Sequence, residues 1–379
     1  MSNAALIDAF SDYFLKGGRF NSIVEARSYA SELLGATVER GTKEAKATEE
    51  TIEASLVRTA RLLVDTAETP GQAYERLVDL YERQPNLSTR SSTSIQNQAY
   101  STPVPLGYLV SALAGITPES VVYEPTGGHG ALLVEANRET AIVNEIDPVR
   151  AADLRAQGFQ VTEQDASSYK PKQPVDVIVM NPPFGAVSIG GVSKEWLVRG
   201  GAATPAYRTT NIDHAIALHS LQSLKDEGRA VLILGAPMGQ KTGNQEAAAT
   251  TYNGGQYVAF YKSLYDNYNV TQHFTVMGNL YARQGTSYPV DVIVVDGRGK
   301  SSRRLPAAEL PQVYSSYETL KELVPHVSLF RNPNRVATSD RGQRDDAGSR
   351  DPGAERSEGR CLRVQAAIGH NHAREDGTR

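Results

Sequence analysis

The sequence predicts an α/β protein, with an open, doubly wound, mostly parallel sheet over residues 96–335 and an antiparallel hairpin at one edge. A helical region and linker, 1–95, precede it, and a polar tail, 336–379, follows. Three observations predict this. From about residue 100, short apolar runs alternate with helical stretches, the pattern of strands buried on both faces of a parallel sheet. Residues 1 to about 90 repeat their apolar positions at helical spacing with few strand signals. Beyond Val336 the stretch SDRGQRDDAGSRDPGAERSEGR is too polar to pack, and disorder is expected there.

In order along the chain, Ala5 to Phe10 opens one helix, Ile23 to Leu34 forms a second and Ile52 to Val64 a third. Thr69-Pro70-Gly71 interrupts before Ala73 to Tyr81 resumes, and NLSTRSSTSIQNQ, 86–98, reads as a linker. Strands are expected at Val121 to Tyr123, Ala141 to Val143, Gln160-Val161, Val175 to Met180 and Ala230 to Leu234. Helices are expected at Ala131 to Asn137, Val149 to Gln157 and His214 to Leu224. His273 to Met277 and Val290 to Val295 read as the hairpin that closes the sheet edge. Two polar insertions, 185–211 and 239–257, leave the C-terminal edge of the strands, where open α/β sheets place their ligands.

Composition excludes several classes. With 379 residues, 40% hydrophobic and 22% charged, the chain is long enough for a sizeable core. No run of about 18 apolar residues and no basic-then-apolar leader occurs, so the cytoplasm is the expected address. One cysteine, Cys361, rules out an internal disulfide framework and a zinc site of paired thiolates, including that of zinc-dependent base deaminases. A formal net charge of −4 argues against coating nucleic acid by bulk charge, so such a partner needs a local basic patch or a second protein.

YEPTGGHGALL, 123–133, lies where the first parallel strand turns into a helix. Gly127, Gly128 and Gly130 remove side chains so that a ligand can approach the backbone, although glycines also serve tight turns. A dinucleotide fingerprint would need a third glycine at Leu133. The next strand ends in Asn144-Glu145-Ile146-Asp147. Glu145 sits at the distance where doubly wound nucleotide folds place an acid on ribose hydroxyls, whereas Asp147 before Pro148 reads as a helix cap. Asp165-Ala166 follows the third strand, and Asp165 can accept from an adenine amino group or merely solvate a turn. After the fourth strand comes Asn181-Pro182-Pro183-Phe184. Glycine turn, acid, acid and Asn-Pro-Pro-Phe after four successive strands form an ordered set more specific than any member.

In these motifs the chain resembles S-adenosylmethionine-dependent amino-methyltransferases, particularly adenine-N6 DNA methyltransferases, over about 100 to 300. The likeness includes Tyr100-Ser101-Thr102-Pro103, similar to the family's segment beside the methionine end of the cofactor, and Glu124-Pro125-Thr126 opening the glycine turn. It implies a Rossmann-like methyltransferase sheet and S-adenosylmethionine as cofactor, with no metal. Tyr100, Thr102, Pro103, Glu124, Thr126, Gly127, Gly128, Gly130, Glu145, Ile146, Asp165, Ala166 and Asn181 are the implied cofactor residues. Asn181, Pro182, Pro183 and Phe184 are the implied catalytic ones.

The chemistry explains the motif. An adenine exocyclic amine is a poor nucleophile because its lone pair is delocalised into the ring. If the Asn181 side-chain carbonyl and the Pro182 backbone carbonyl accept its two N–H bonds, the lone pair is freed toward the methyl donor. Consecutive prolines hold that backbone rigid, and Phe184 can stack on a base turned out of a duplex.

Asn-Pro-Pro-aromatic is shared with glutamine methyltransferases and some guanine-N2 RNA methyltransferases, so a protein amide or an RNA base amine is the alternative substrate. A non-catalytic module that binds cofactor or DNA in restriction or antirestriction is another. Lys194, Trp196, Arg199, Tyr207 and Arg208, on a mobile loop beside the target pocket, would suit phosphate contact and base stacking. The catalytic region most resembles methyltransferase modules of large phage and plasmid proteins, often joined to helicase-like parts. Recognition of DNA would then come from a separate subunit or domain. His129 is expected to line the pocket or begin a helix, and His214 and His219 to take core or surface roles.

Overall fold

In a computed structural model that describes residues 2–87, 101–201 and 204–326, the chain begins with four helices. These are α1 (Asn3–Leu15), α2 (Ile23–Leu34), α3 (Lys43–Asp65) and α4 (Pro70–Arg83). Each starts where the sequence supplies a hydroxyl cap: Ser2, Ser22, Thr42 and Thr69 accept from the backbone N–H three residues on, and Pro70 occupies the first turn of α4. A fifth helix, α5 (Val104–Leu113), leads into the sheet.

The parallel half of the sheet contains β1 (Val122–Glu124), β2 (Ile142–Asn144), β3 (Gln160–Thr162), β4 (Val175–Met180) and β9 (Leu224–Gly235). The antiparallel pair is β10 (Tyr268–Val276) with β11 (Val290–Arg298), and β12 (Gln312–Tyr314) lies outside β10. Across the sheet the order is β12-β10-β11-β9-β4-β1-β2-β3, with β9 antiparallel to β11. From β1 the chain steps outward to β2 and β3, then returns to β4 on the other side of β1. This reversal makes β1/β4 the topological switch point, outside which open α/β sheets form a ligand crevice.

Apolar runs that are not strictly alternating are explained by burial on both faces. Val177 and Val179 join the core beneath α1, α3, α4 and α5, whereas Ile178 and Met180 join the opposite core with α7 (Ile212–Leu221) and α10 (Gly255–Asn267). The N-terminal helices share the first core with sheet residues. Polar contacts reinforce that packing: Tyr81 Oη donates to the Leu280 carbonyl at 2.7 Å, and Arg283 donates to the Gln84 carbonyl at 2.7 Å. The linker from Ser88, the junction near 95 and the polar tail lie outside the described residues.

Several elements differ from the sequence expectation. No α-helix spans Ala131 to Asn137; only a 3-10 turn, Ala131–Leu133, follows the glycines. α5 packs closely here: a Cβ on Gly107 would stand 2.5 Å from the Ala131 carbonyl oxygen. The hairpin does not end the sheet, because β12 pairs parallel to β10 beyond it; three residues carry too little periodicity to be read as a strand. The helix expected at His214 to Leu224 is α7, and Leu224 already begins β9.

Where a mobile loop is expected at 185–211, the described residues form two ribbons, β5 (Ser188–Ile189) with β6 (Val192–Ser193), and β7 (Trp196–Val198) with β8 (Tyr207–Thr209). The 239–257 insertion lies within α8 (Met238–Thr242), α9 (Gln245–Tyr252) and the start of α10. Between β2 and β3 lies α6 (Pro148–Ala156), and the chain described here closes with α11 (Tyr317–Leu320).

Candidate active site

A cavity of about 350 Å³ opens at the C-terminal ends of β1, β2 and β4, the position the switch point prescribes. Its floor is the glycine turn. Gly127 lies so close to β2 that a Cβ there would meet Val143 Cγ1 at 2.5 Å, and Gly130 adopts φ +88°, a left-handed conformation that favours glycine. Buried Asn144 ties this turn to the next loop. Its amide donates to the Pro125 and Gln164 carbonyls at 3.0 and 2.9 Å, and its carbonyl accepts from the Gln164 N–H at 3.0 Å.

Four carboxylates that the motifs contain have four different settings. Glu145 lines the cavity and accepts from the Gly128 and Asp147 backbone N–H groups at 2.7 and 2.8 Å, while burial pushes its pKa up. Asp147 caps α6 through the Val149 and Arg150 N–H groups at 2.9 and 3.2 Å. Asp165 also lines the cavity. Partial burial works against its ionisation, but the Ser167 hydrogen bonds and the neighbouring Lys194 prevail and hold its pKa low. Glu124 is different: it is only 1% exposed, is not part of the cavity wall and accepts from Thr126 N and Oγ1 at 3.2 and 3.3 Å. Burial lifts its pKa to about 8, so at neutral pH it is chiefly protonated.

Of the other expected cofactor residues, Thr102, Thr126, Gly127, Gly128, Ile146, Ala166 and Asn181 line the cavity, while Pro103 and Gly130 do not. Tyr100 lies outside the described residues. Asn181 and Pro183 line the cavity, while Pro182 does not. Phe184 is 5% exposed and packs in the core, its Cβ within 3.4 Å of the place a side chain on Gly235 would take, so its ring is not presented to the cavity.

Asn181 is held at one end. Its amide nitrogen donates to Thr102 Oγ1 at 2.7 Å, and its carbonyl oxygen is buried without a hydrogen-bond partner among the described residues. A buried acceptor left open costs free energy comparable to a lost hydrogen bond, so this atom is set for a donor that the described residues do not supply. The segment after it is fixed by Asp213 on α7, whose carboxylate accepts from Gly185 N at 3.3 Å and Gly235 N at 3.1 Å.

The expected substrate residues are divided. Lys194 and Trp196 line the cavity; Lys194 lies over the indole at 5.1 Å and bonds Asp165 at 3.3 Å, which clasps the ribbon across the opening. Arg199, Tyr207 and Arg208 are not part of the cavity wall. Arg208 pairs with Glu195 at 3.6 Å on the surface.

Sequence reasoning missed an entire wall. α3 presents Lys46, Glu50, Glu53, Leu56 and Val57 to the cavity. His129, buried in the glycine turn, joins this helix to α6: its Nδ1 is 2.9 Å from Asp153 and its Nε2 is 2.9 Å from Glu50. Burial alone would lower the imidazole pKa, but the two carboxylates outweigh it and raise it to about 9. Arg150 donates to the same Glu50 oxygen at 3.0 Å, and Glu50 is accordingly held well below the ordinary carboxylate range despite its burial. Ligand atoms of Glu50, Glu53 and His129 lie within 4.8 Å of one another, but a dication there would face the Arg150 guanidinium. The available signal was Glu50 and Glu53 three residues apart on a stripe that continues into Val57, an acidic patch on an otherwise apolar helix face. His214 is a core residue, stacked on Phe260 at 3.9 Å, and burial lowers its pKa; burial likewise lowers that of His219.

No family model matches this chain, and no curated protein matches it. Among solved structures, the modification subunit of a putative type I restriction enzyme from Vibrio vulnificus YJ016 is similar at 15% identity and TM-score 0.42, covering 68% of this chain and 54% of that one. A putative class I S-adenosylmethionine-dependent methyltransferase from Listeria monocytogenes is similar at 10% identity and TM-score 0.42, covering 85% of this chain and 99% of that one. The M protein of the type I restriction enzyme EcoKI is similar at 12% identity and TM-score 0.37, covering 78% and 67%. The chain thus spans about half the length of the Vibrio subunit. The fold class rests on this chain's own strand order and crevice. No helix among the described residues is long and apolar enough to cross a membrane.

Proposed function

We propose that this chain is an S-adenosylmethionine-dependent N-methyltransferase whose target is the exocyclic N6 amine of adenine in DNA, turned out of the helix into the cavity. The observation that carries this reading is Asn181: an amide anchored through its nitrogen on Thr102, with a buried carbonyl that has no partner among the described residues. An anchored, open acceptor is what an amine donor needs. The residues present fit the cofactor. Glu145 and Ile146 line one part of the cavity beside Asp165, the glycine turn leaves its floor bare, and Thr102 with Asn181 lines another part.

The bound sulfonium supplies an electrophilic methyl group. Asn181 would accept one N–H of the target amine and so free the nitrogen lone pair for the methyl; the Pro182 backbone carbonyl, the second expected acceptor, belongs to a residue outside the cavity wall. Positioning supplies most of the acceleration, and the proton released after transfer can leave to water. Asp213 keeps the segment after Phe184 in place through Gly185. In this reading, sequence recognition comes from a separate subunit or helicase-like module, because two of the cavity-side cations, Lys194 and Arg150, are already paired with carboxylates, and Lys46 is one remaining positive charge.

The test is incubation of the purified chain with radiolabelled S-adenosylmethionine and unmethylated genomic DNA, total RNA or protein extract, with Asn181→Ala as control. Asn181-dependent N6-methyladenine in DNA supports the proposal. Label confined to RNA or protein moves the same site to an RNA base or a glutamine amide, and cofactor binding without transfer to any of the three overturns the enzymatic reading for the isolated chain.

A further inference from the structure

Glu124, one of the implied cofactor residues at the head of the glycine turn, is not part of the cavity wall. It lies beneath the cavity wall, bonded to Thr126. The wall near Thr102 and Asn181 is completed instead by α3. Within it, Glu50 is committed to His129 and Arg150, whereas Glu53 has a single hydrogen bond among the described residues, accepted by Oε2 from the Ser101 hydroxyl at 2.5 Å. His129 and Arg150 stand 3.9 Å from that same oxygen, beyond hydrogen-bond range. The contacts Glu53–Ser101 and Thr102–Asn181 join adjacent residues of one segment, so Glu53 is placed at the same end of the cavity as the open Asn181 carbonyl.

The local charges are unbalanced. Carboxylates of Glu50, Glu53 and Asp153 surround the cations His129 and Arg150, leaving one excess negative charge in a poorly hydrated site. Burial, and then the neighbouring Glu50 carboxylate, push the Glu53 pKa up, which a ligand cation would reverse. Other acids are less suited: Glu145 is occupied by two backbone N–H groups, and Asp165 by Ser167 and Lys194. Resting on the proposed cofactor, we infer that Glu53 is the acceptor for its α-ammonium group, so that the N-terminal helix α3 is a working wall of the cofactor site. The α-ammonium charge then offsets the Glu53 carboxylate, and α3 is fastened to the sheet through the ligand as well as through His129.

Calorimetry on the full chain tests this with three thioethers: S-adenosylhomocysteine, its analogue lacking the α-amino group, and 5′-methylthioadenosine, which lacks the whole amino-acid portion. Glu53→Gln is expected to weaken S-adenosylhomocysteine on the order of 10- to 100-fold, as for a lost hydrogen bond to a charged group, while changing methylthioadenosine by less than about 2-fold. Equal weakening of both would reveal a merely structural role and overturn the inference, as would no weakening of either. The desamino analogue gives the same answer without a substitution: the wild-type chain should bind it on the order of 10-fold or more weakly than S-adenosylhomocysteine, and equal affinity overturns the inference. Failure of the wild-type chain to bind any of the three overturns the proposed cofactor itself, a result distinct from normal binding that ignores Glu53.

Discussion

The two walls of the cavity are built on different principles. The sheet wall, from Pro125 to Asn181, is made of strand ends, tight turns and one anchored amide, and its polar groups are largely bonded to backbone. The α3 wall is made of side chains from a single helix, and its polar groups bond to one another across three elements: Glu50 on α3, His129 in the glycine turn, and Arg150 and Asp153 on α6. Backbone placement gives rigidity, which a transfer step needs. A charge cluster gives an attachment that depends on the protonation of its members.

The difference can be broken open experimentally. The largest expected effect is on the sheet wall: Asn181→Ala should lower turnover by about 100-fold or more while S-adenosylhomocysteine affinity stays within about 2-fold, read by single-turnover kinetics and calorimetry. On the helix wall, Glu50→Ala removes the partner of two buried cations and should cost about 3 kcal/mol of folding stability in urea titrations, far more than removal of the exposed Glu195 that pairs with Arg208.

The pH response sharpens the contrast. The His129 pKa is raised from 6.5 to about 9, so the stability it lends is fully present below about pH 6.5 and is lost as pH rises through 9. Glu50, whose pKa is lowered from 4.5, contributes stability above pH 4.5 that is lost only in acid. Hydrogen exchange of α3 amides, corrected for intrinsic rates, should therefore show strongest protection near pH 5 to 6 and loosening toward pH 9, with the β4 amides changing less. Equal behaviour of helix and strand would sink the contrast.

The smallest effect belongs to Glu124. Its pKa is raised to about 8, so ionisation opposes folding as pH climbs from about 4.5 through 8. Glu124→Gln should leave S-adenosylhomocysteine affinity within about 2-fold and remove that pH-dependent loss, giving an equal or higher Tm at pH 9. A large loss of affinity would return Glu124 to the cofactor.

Much of the sheet wall was legible in the sequence because its signals are local. Asn181-Pro182-Pro183 after an apolar run, Gly127-Gly128, and Asp147-Pro148 as a helix start each declare their backbone within a few residues, and the structure places strand ends, turn and cap there. Where the reading departed from the structure, long-range packing had decided. The segment after Gly130, packed closely against Gly107, is a 3-10 turn, and strands within 185–211 pair with one another as ribbons. Phe184 turned into the core, an orientation that a motif does not specify.

The sequence by itself determined the α/β class and where along the chain most strands, turns and caps fall, because periodicity, prolines, glycines and caps act through neighbouring residues. Tertiary structure alone decided which carboxylates face the cavity and which helix closes it. Glu53 and Asn181 are 128 positions apart in sequence and meet through Ser101 and Thr102, so only the packing of α3 on the sheet reveals them as parts of one site.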